Sequence, residues 1–79
     1  MNNQVFLVSI AYDVDFDNDD YHFVPQIIMD NETAAIKFAT QFTYKDNDVA
    51  IVQEFQINKD YKGKSIRVRG GKIDHKAGL

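Results

Sequence analysis

Five carboxylates, Asp13, Asp15, Asp17, Asp19 and Asp20, fall within eight consecutive residues of the stretch DVDFDNDDY. Such a run can hold a hard cation, present a negative surface to a basic partner, or simply keep a turn in water. Calcium takes about six to eight oxygen ligands, and an EF-hand loop supplies them from fixed positions with Gly at the sixth and Glu at the twelfth. Counted from Asp13 those positions are Asn18 and Val24, and counted from Asp15 they are Asp20 and Gln26, so both registers fail at both places. The residues therefore predict no metal site and no cofactor; an irregular calcium site is the least favoured reading. Asp and Asn suit turns whatever else they do, so a solvated hairpin turn leads. The functional reading is an acidic recognition loop, engaging a partner through Asp13, Asp15, Asp17, Asp19 and Asp20.

Charge is unevenly spread along the chain. Residues 1–36 carry −7 with no Lys or Arg, residues 37–58 carry −1, and residues 59–79 carry +5, for a net −3. Near the basic end, Lys62, Lys64, Arg67 and Arg69 are candidate nucleic-acid contacts, with Tyr61 available for stacking. The negative net charge and the absence of any nucleic-acid-binding signature rank that reading below a solvated edge strand. Catalysis finds less support. His22 and His75 are the two histidines, no acid or hydroxyl stands at a triad-like spacing, and no glycine-rich loop precedes a helix. The expectation is that the protein is not an enzyme.

Seventy-nine residues without cysteine make one domain that must hold together by apolar packing, alone or with association, and a core of this size rarely supplies more than about 3–5 kcal/mol. The absence of cysteine suits a reducing cytosol. The apolar run VFLVSIAY lacks a basic leader and a cleavage motif and is too short to span a bilayer, so a cytoplasmic protein without membrane attachment is expected.

The elements follow from periodicity. Residues 4–14 alternate, with Phe6, Val8, Ile10, Tyr12 and Val14 on one face of a strand. YHFVPQIIM alternates likewise, and Pro25 places it at a sheet edge or at a bulge. DNETAAIKFATQF changes to helical spacing, capped by Asp30 or Asn31, with Ala35, Phe38, Ala39 and Phe42 along an inward stripe and an end near Tyr44. DVAIVQEFQI returns to period two with Val49, Ile51, Phe55 and Ile57 inward. After a turn in which Gly63 takes positive φ, KSIRVRG forms a fourth strand with Ile66 and Val68 inward. Residues 70–79 read as a mobile C-terminal tail. The sum is an α+β domain over residues 1–69, a β-β-α-β-β two-layer sandwich whose antiparallel four-stranded sheet carries one helix on one face.

That arrangement leaves the opposite face with Val5, Leu7, Val24, Ile28 and Val52, an apolar cluster where strict alternation calls for polar side chains. Such a cluster marks an interface with a protein partner or a second copy of the chain, unless a tail or a side-chain stem covers it.

Over residues 4–69 the pattern of size, missing cysteine, acidic loop and one helix on an antiparallel sheet resembles small phage-encoded inhibitor proteins of the anti-CRISPR and anti-restriction type. The resemblance is one of architecture, and no functional residue is carried over from it. It implies a non-catalytic protein that occludes a surface of a host protein, such as a nucleic-acid-binding defence complex, with an acidic loop and an apolar sheet face. The alternative is a nucleic-acid-binding accessory protein using the basic C-terminal strand.

Overall fold

The structure, a computed structural model, describes residues 4–17, 21–60 and 62–77. Its elements are β1 (Gln4–Ala11), β2 (Val24–Met29), α1 (Glu32–Phe42), β3 (Val49–Gln56), β4 (Lys62–Arg69) and β5 (Lys72–Ala77). All pairings are antiparallel and the sheet order is β2-β1-β3-β4-β5. The fold is α+β, with α1 laid across the central strands.

The fifth strand replaces the expected tail through 77. Gly70 and Gly71 both take positive φ, 58° and 79°, and adjacent left-handed residues make the tight turn whose twist matches a hairpin. The chain therefore doubles back, and Ser65 to Arg69 pair with Ala77 to Lys72. Gly63 does not take positive φ; Asn58, at 62°, supplies the left-handed residue of the β3–β4 connection. Gly63 matters for space instead, because a Cβ there would overlap the Glu54 carboxylate.

The helix starts where the sequence places it. Asn31 is extended, and its Oδ1 accepts from the Ala34 amide at 3.0 Å. The helix ends at Thr43, whose buried hydroxyl donates to the Ala39 carbonyl at 2.6 Å, filling an acceptor the last turn leaves open. Ala35, Ala39 and Thr43 form the buried i, i+4 row. Phe42 lies one residue off that row, 47% exposed, with its ring stacked 4.5 Å from that of the half-buried Phe38. Phe42 is thus not a core residue.

Beneath the alanines, Phe6, Val8 and Ile10 of β1, Ala50 and Val52 of β3, and Ile66 and Val68 of β4 form the core. This reverses the expected phase of β3. Pairing sets Ile10 beside Ala50, Val8 beside Val52 and Phe6 beside Glu54, so Val49, Ile51 and Phe55 face away from the helix. The pattern misled because β3 carries apolar residues on both faces, and because an acid, Glu54, stands in the inward row. Glu54 is buried, and its carboxylate accepts from Gln4 Nε2 at 2.9 Å and from the Lys64 amide at 3.4 Å.

β2 is an edge strand and is bulged next to Pro25, as proline requires. Val8 pairs with Ile27 and Ser9 with Pro25, leaving Gln26 as the extra residue. One residue of slip exchanges the faces on either side of it. Ile27 and Met29 stay under the helix, Ile28 points away from it, and Phe23 leaves the helix side to pack with Ala11, Val14 and Val49.

Candidate functional site

Among the described residues, no other strand or helix covers the face of the sheet away from α1. Register brings Leu7 beside both Ile28 and Gln53, Val5 beside Phe55, and Ser9 beside Ile51. Val5, Leu7, Ile51 and Phe55 are half-buried, while Ile28 is 66% exposed. Three of the five predicted apolar-face residues, Val5, Leu7 and Ile28, therefore stand together. The other two do not join them. Val52 is 1% exposed in the core beneath the helix. Val24 pairs with Ile10, in the helix-side row, because the Gln26 bulge breaks the alternation that links it to Ile28; there it is 56% exposed. Ile51 and Phe55 replace them on the open face.

The connection between β1 and β2 is more than a solvated turn. Val14 is buried, and its amide donates to the Asn47 carbonyl at 2.8 Å. Asp13, at φ 52°, donates its amide to Oδ1 of the buried Asp48 at 3.2 Å. These bonds draw the loop over the ends of β3 and β4, where the Phe16 ring lies 4.0 Å from the guanidinium carbon of Arg69. Asp13, Asp15 and Asp17 are exposed, and Asp15 Oδ1 accepts from the Asp17 amide at 3.1 Å. Asp19 and Asp20 lie outside the described residues, as does Tyr61. Among the described residues, no group of three or more His, Cys, Asp or Glu could hold a metal ion.

Asp48 is the fastening point of this region. Besides its carboxylate bond to the loop, its amide donates to the Lys45 carbonyl at 3.0 Å and its carbonyl accepts from the Gly70 amide at 3.3 Å. Asp48→Ala strands the Asp13 amide, and leaving such a group unsatisfied costs about 1–3 kcal/mol. We expect faster amide exchange at Asp13 and Val14 and a lower melting temperature, with the β1–β3 ladder intact; unchanged exchange at both amides would show that the loop is held by other contacts.

The four basic candidates do not form one patch. Lys64 lies on the helix side, its Nζ 2.6 Å from Glu32 Oε2 at the start of α1. Arg67 and Arg69 lie on the open face, where strand alternation sends odd-numbered residues of β4. The side chain of Lys62 is outside the described part of the structure. Arg67 directs both Nε, at 2.9 Å, and Nη2, at 2.8 Å, onto Asp74 Oδ2. Arg69 donates Nε to the Asp46 carbonyl at 3.1 Å. His22 and His75 are both exposed, the latter beside Arg67 in the β4–β5 ladder.

Loop and strands together enclose a cleft of about 200 Å³ lined by Phe16, Tyr21, Phe23, Val49, Ile51, Arg67, Arg69 and Asp74. Tyr21 and Phe23 meet edge to face, 5.5 Å apart at 86°. Sequence reasoning missed this cleft. Its signal was present in Phe16, Tyr21 and Phe23, aromatic residues in and just after an acidic run that solvation alone does not call for.

No described helix is long and apolar enough to cross a membrane. In comparisons with known proteins the chain matches no family model, no curated protein and no solved structure.

Proposed function

We propose that this chain is a small, non-catalytic binding protein that docks on a larger protein through the sheet face opposite α1 and occludes the surface it covers. The observation that carries this reading is the cluster of Val5, Leu7, Ile28, Ile51 and Phe55, interleaved with Ser9 and Gln53, on a face that no other strand or helix among the described residues covers. An apolar cluster rimmed by charge is the usual make-up of a docking surface, with affinity coming from the apolar centre. The exposed carboxylates of Asp13, Asp15 and Asp17 at one end add steering and orientation. Occlusion is the mode implied by the resemblance to small phage-encoded inhibitors. A second reading, contact with single-stranded nucleic acid, is favoured by Arg67 and Arg69 sharing this face with Phe16 and Tyr21.

A photo-reactive residue placed at Ile28, or at the exposed Lys37 on the helix, and activated in cells of the source organism separates the readings. The expected result is a discrete protein adduct from position 28 that is absent from position 37 and lost when Leu7→Lys is added. Equal adducts from both positions, or an adduct to nucleic acid, would overturn the proposal. An adduct of two copies of the chain would reassign the face to a dimer.

A further inference from the structure

The cleft between the acidic loop and the sheet gives the binding face a place where one residue of the partner would be held. We propose that it anchors a protein partner by taking a single aromatic side chain, with a neighbouring carboxylate of the partner on Arg67 and Arg69. This rests on the reading of the open face as a protein-docking surface and adds the chemistry of what it recognises.

Size selects the occupant first. A cavity of about 150 Å³ holds one benzene ring, and the cleft measures about 200 Å³, enough for a side chain and too small for the ligands of typical cofactor pockets. The walls select a ring. Tyr21 and Phe23 already meet edge to face, and a third ring entering beside them finds the offset or perpendicular contacts that aromatic groups prefer.

Charge selects what accompanies the ring. Two guanidinium groups stand on one wall, and both are held in place before any ligand arrives. Asp74 fixes Arg67 through two nitrogens, while the Asp46 carbonyl and the Phe16 ring fix Arg69. A guanidinium has five N–H donors, so these bonds position each fork while leaving donors to spare. Fixing the forks in advance lowers the ordering cost of binding. The opposite wall belongs to the loop bearing Asp13, Asp15 and Asp17, and the whole chain carries −3. A strand of phosphates laid along this face would run beside those carboxylates and meet a repelling field. One carboxylate brings a single charge, which Arg69 balances while Asp74 balances Arg67. The geometry therefore favours a ring and a single negative charge over a polyanion.

The test uses the full chain, isotope-labelled, titrated separately with N-acetylphenylalanine (ring and carboxylate), its amide (ring alone), acetate (charge alone) and a short oligothymidine. N-acetylphenylalanine should shift the amides of Ile51, Arg67 and Arg69 saturably in the millimolar range. The amide should bind at least about ten-fold more weakly, since a hydrogen bond to a charged group contributes that much or more, and acetate likewise, since it lacks the ring whose burial contributes a similar factor. Arg69→Gln should bring the acid to the level of the amide, and Tyr21→Ser, at an exposed position, should weaken acid and amide alike. Equal binding of acid and amide, shifts scattered over the surface, or tighter binding of oligothymidine than of either would overturn the proposal. If none of the probes binds while the Ile28 adduct still forms, the anchor is wrong and the docking face stands.

Discussion

Val52→Asp is expected to unfold the domain, while Val5→Asp leaves it folded. Both residues are valines in strands of the same sheet, and the sequence alone assigns both to the open face. In the structure Val52 is 1% exposed and sits in the central row of the core, with Val8 on one side and Ile66 on the other. A carboxylate there must either lose its hydration or take up a proton, and burial of an unpaired polar group costs several kcal/mol. A core of this size supplies only about 3–5 kcal/mol, so no folded population should survive. Val5 is half-buried on the other face beside Phe55, where a carboxylate can stay in water. Phe42→Ala is the useful control on the helix: its half-exposed ring contributes mainly its contact with Phe38, about 1 kcal/mol. Far-ultraviolet circular dichroism and thermal melting of the three variants suffice. A Val52→Asp protein that melts within a few degrees of the parent would return Val52 to the open face and undo the β3 register.

The second large effect concerns β5. Replacing Gly70 and Gly71 with valine should release residues 72–77 from the sheet and turn them into the mobile segment that composition alone suggests. Left-handed backbone costs an L-residue roughly 1–2 kcal/mol, more for a β-branched one, and both positions lie in that region. The cost is one of conformation rather than space, since a Cβ on Gly71 would stand 3.5 Å from the Thr40 carbonyl oxygen and one on Gly70 3.4 Å from Asp46 Oδ1, ordinary contact distances. An edge strand of six residues, most of them exposed, has little apolar burial to set against that penalty. Cross-strand contacts between Val68 and Ile73, and between Arg67 and His75, should vanish from the nuclear Overhauser spectrum while those between Val8 and Val52 persist. Retention of the β4–β5 contacts would show that the strand is held by something other than its turn. Because Asp74 positions Arg67, the same variant should also weaken N-acetylphenylalanine binding.

What the sequence made legible were the features with a local cause. Asn31 caps the helix because a short acceptor before an apolar helical run has one place to go, and Pro25 marks the bulged edge because it lacks an amide proton. What it concealed depended on partners distant in the chain. The inward face of β3 is decided by Ala50 and Val52 matching Ile10 and Val8 from β1, and no count of apolar residues within β3 distinguishes its two faces. The reading of residues 70–79 as a tail passed over the turn at Gly70-Gly71, because Lys-Ile-Asp-His-Lys-Ala carries too few apolar residues to announce a strand; it is a strand because β4 offers it an edge. The basic cluster of the sequence was an effect of adjacency along the chain. Alternation sends Arg67 and Arg69 to one face and Lys64 to the other, toward Glu32. The cleft lay hidden for the same reason, since Phe16 on one wall and Arg67 on the other are some fifty residues apart in the chain.

The strand order also bears on how the chain finds its fold. β3, β4 and β5 form a meander of near neighbours, and β1 finds β2 across one loop. The pairing that joins these halves is β1 with β3, whose partners are separated by 38 residues at Ala11–Val49 (49 − 11) and by 52 at Gln4–Gln56 (56 − 4). Closing so long a loop spends chain entropy before any contact rewards it, and sheets built on such distant pairs fold slowly relative to helical domains of the same length. Until that closure, β1 and β3 each show one unpaired, apolar edge to solvent. The helix bridges the two halves, packing on β1 and β2 as well as on β3 and β4, and the chain that leaves it at Thr43 leads into β3.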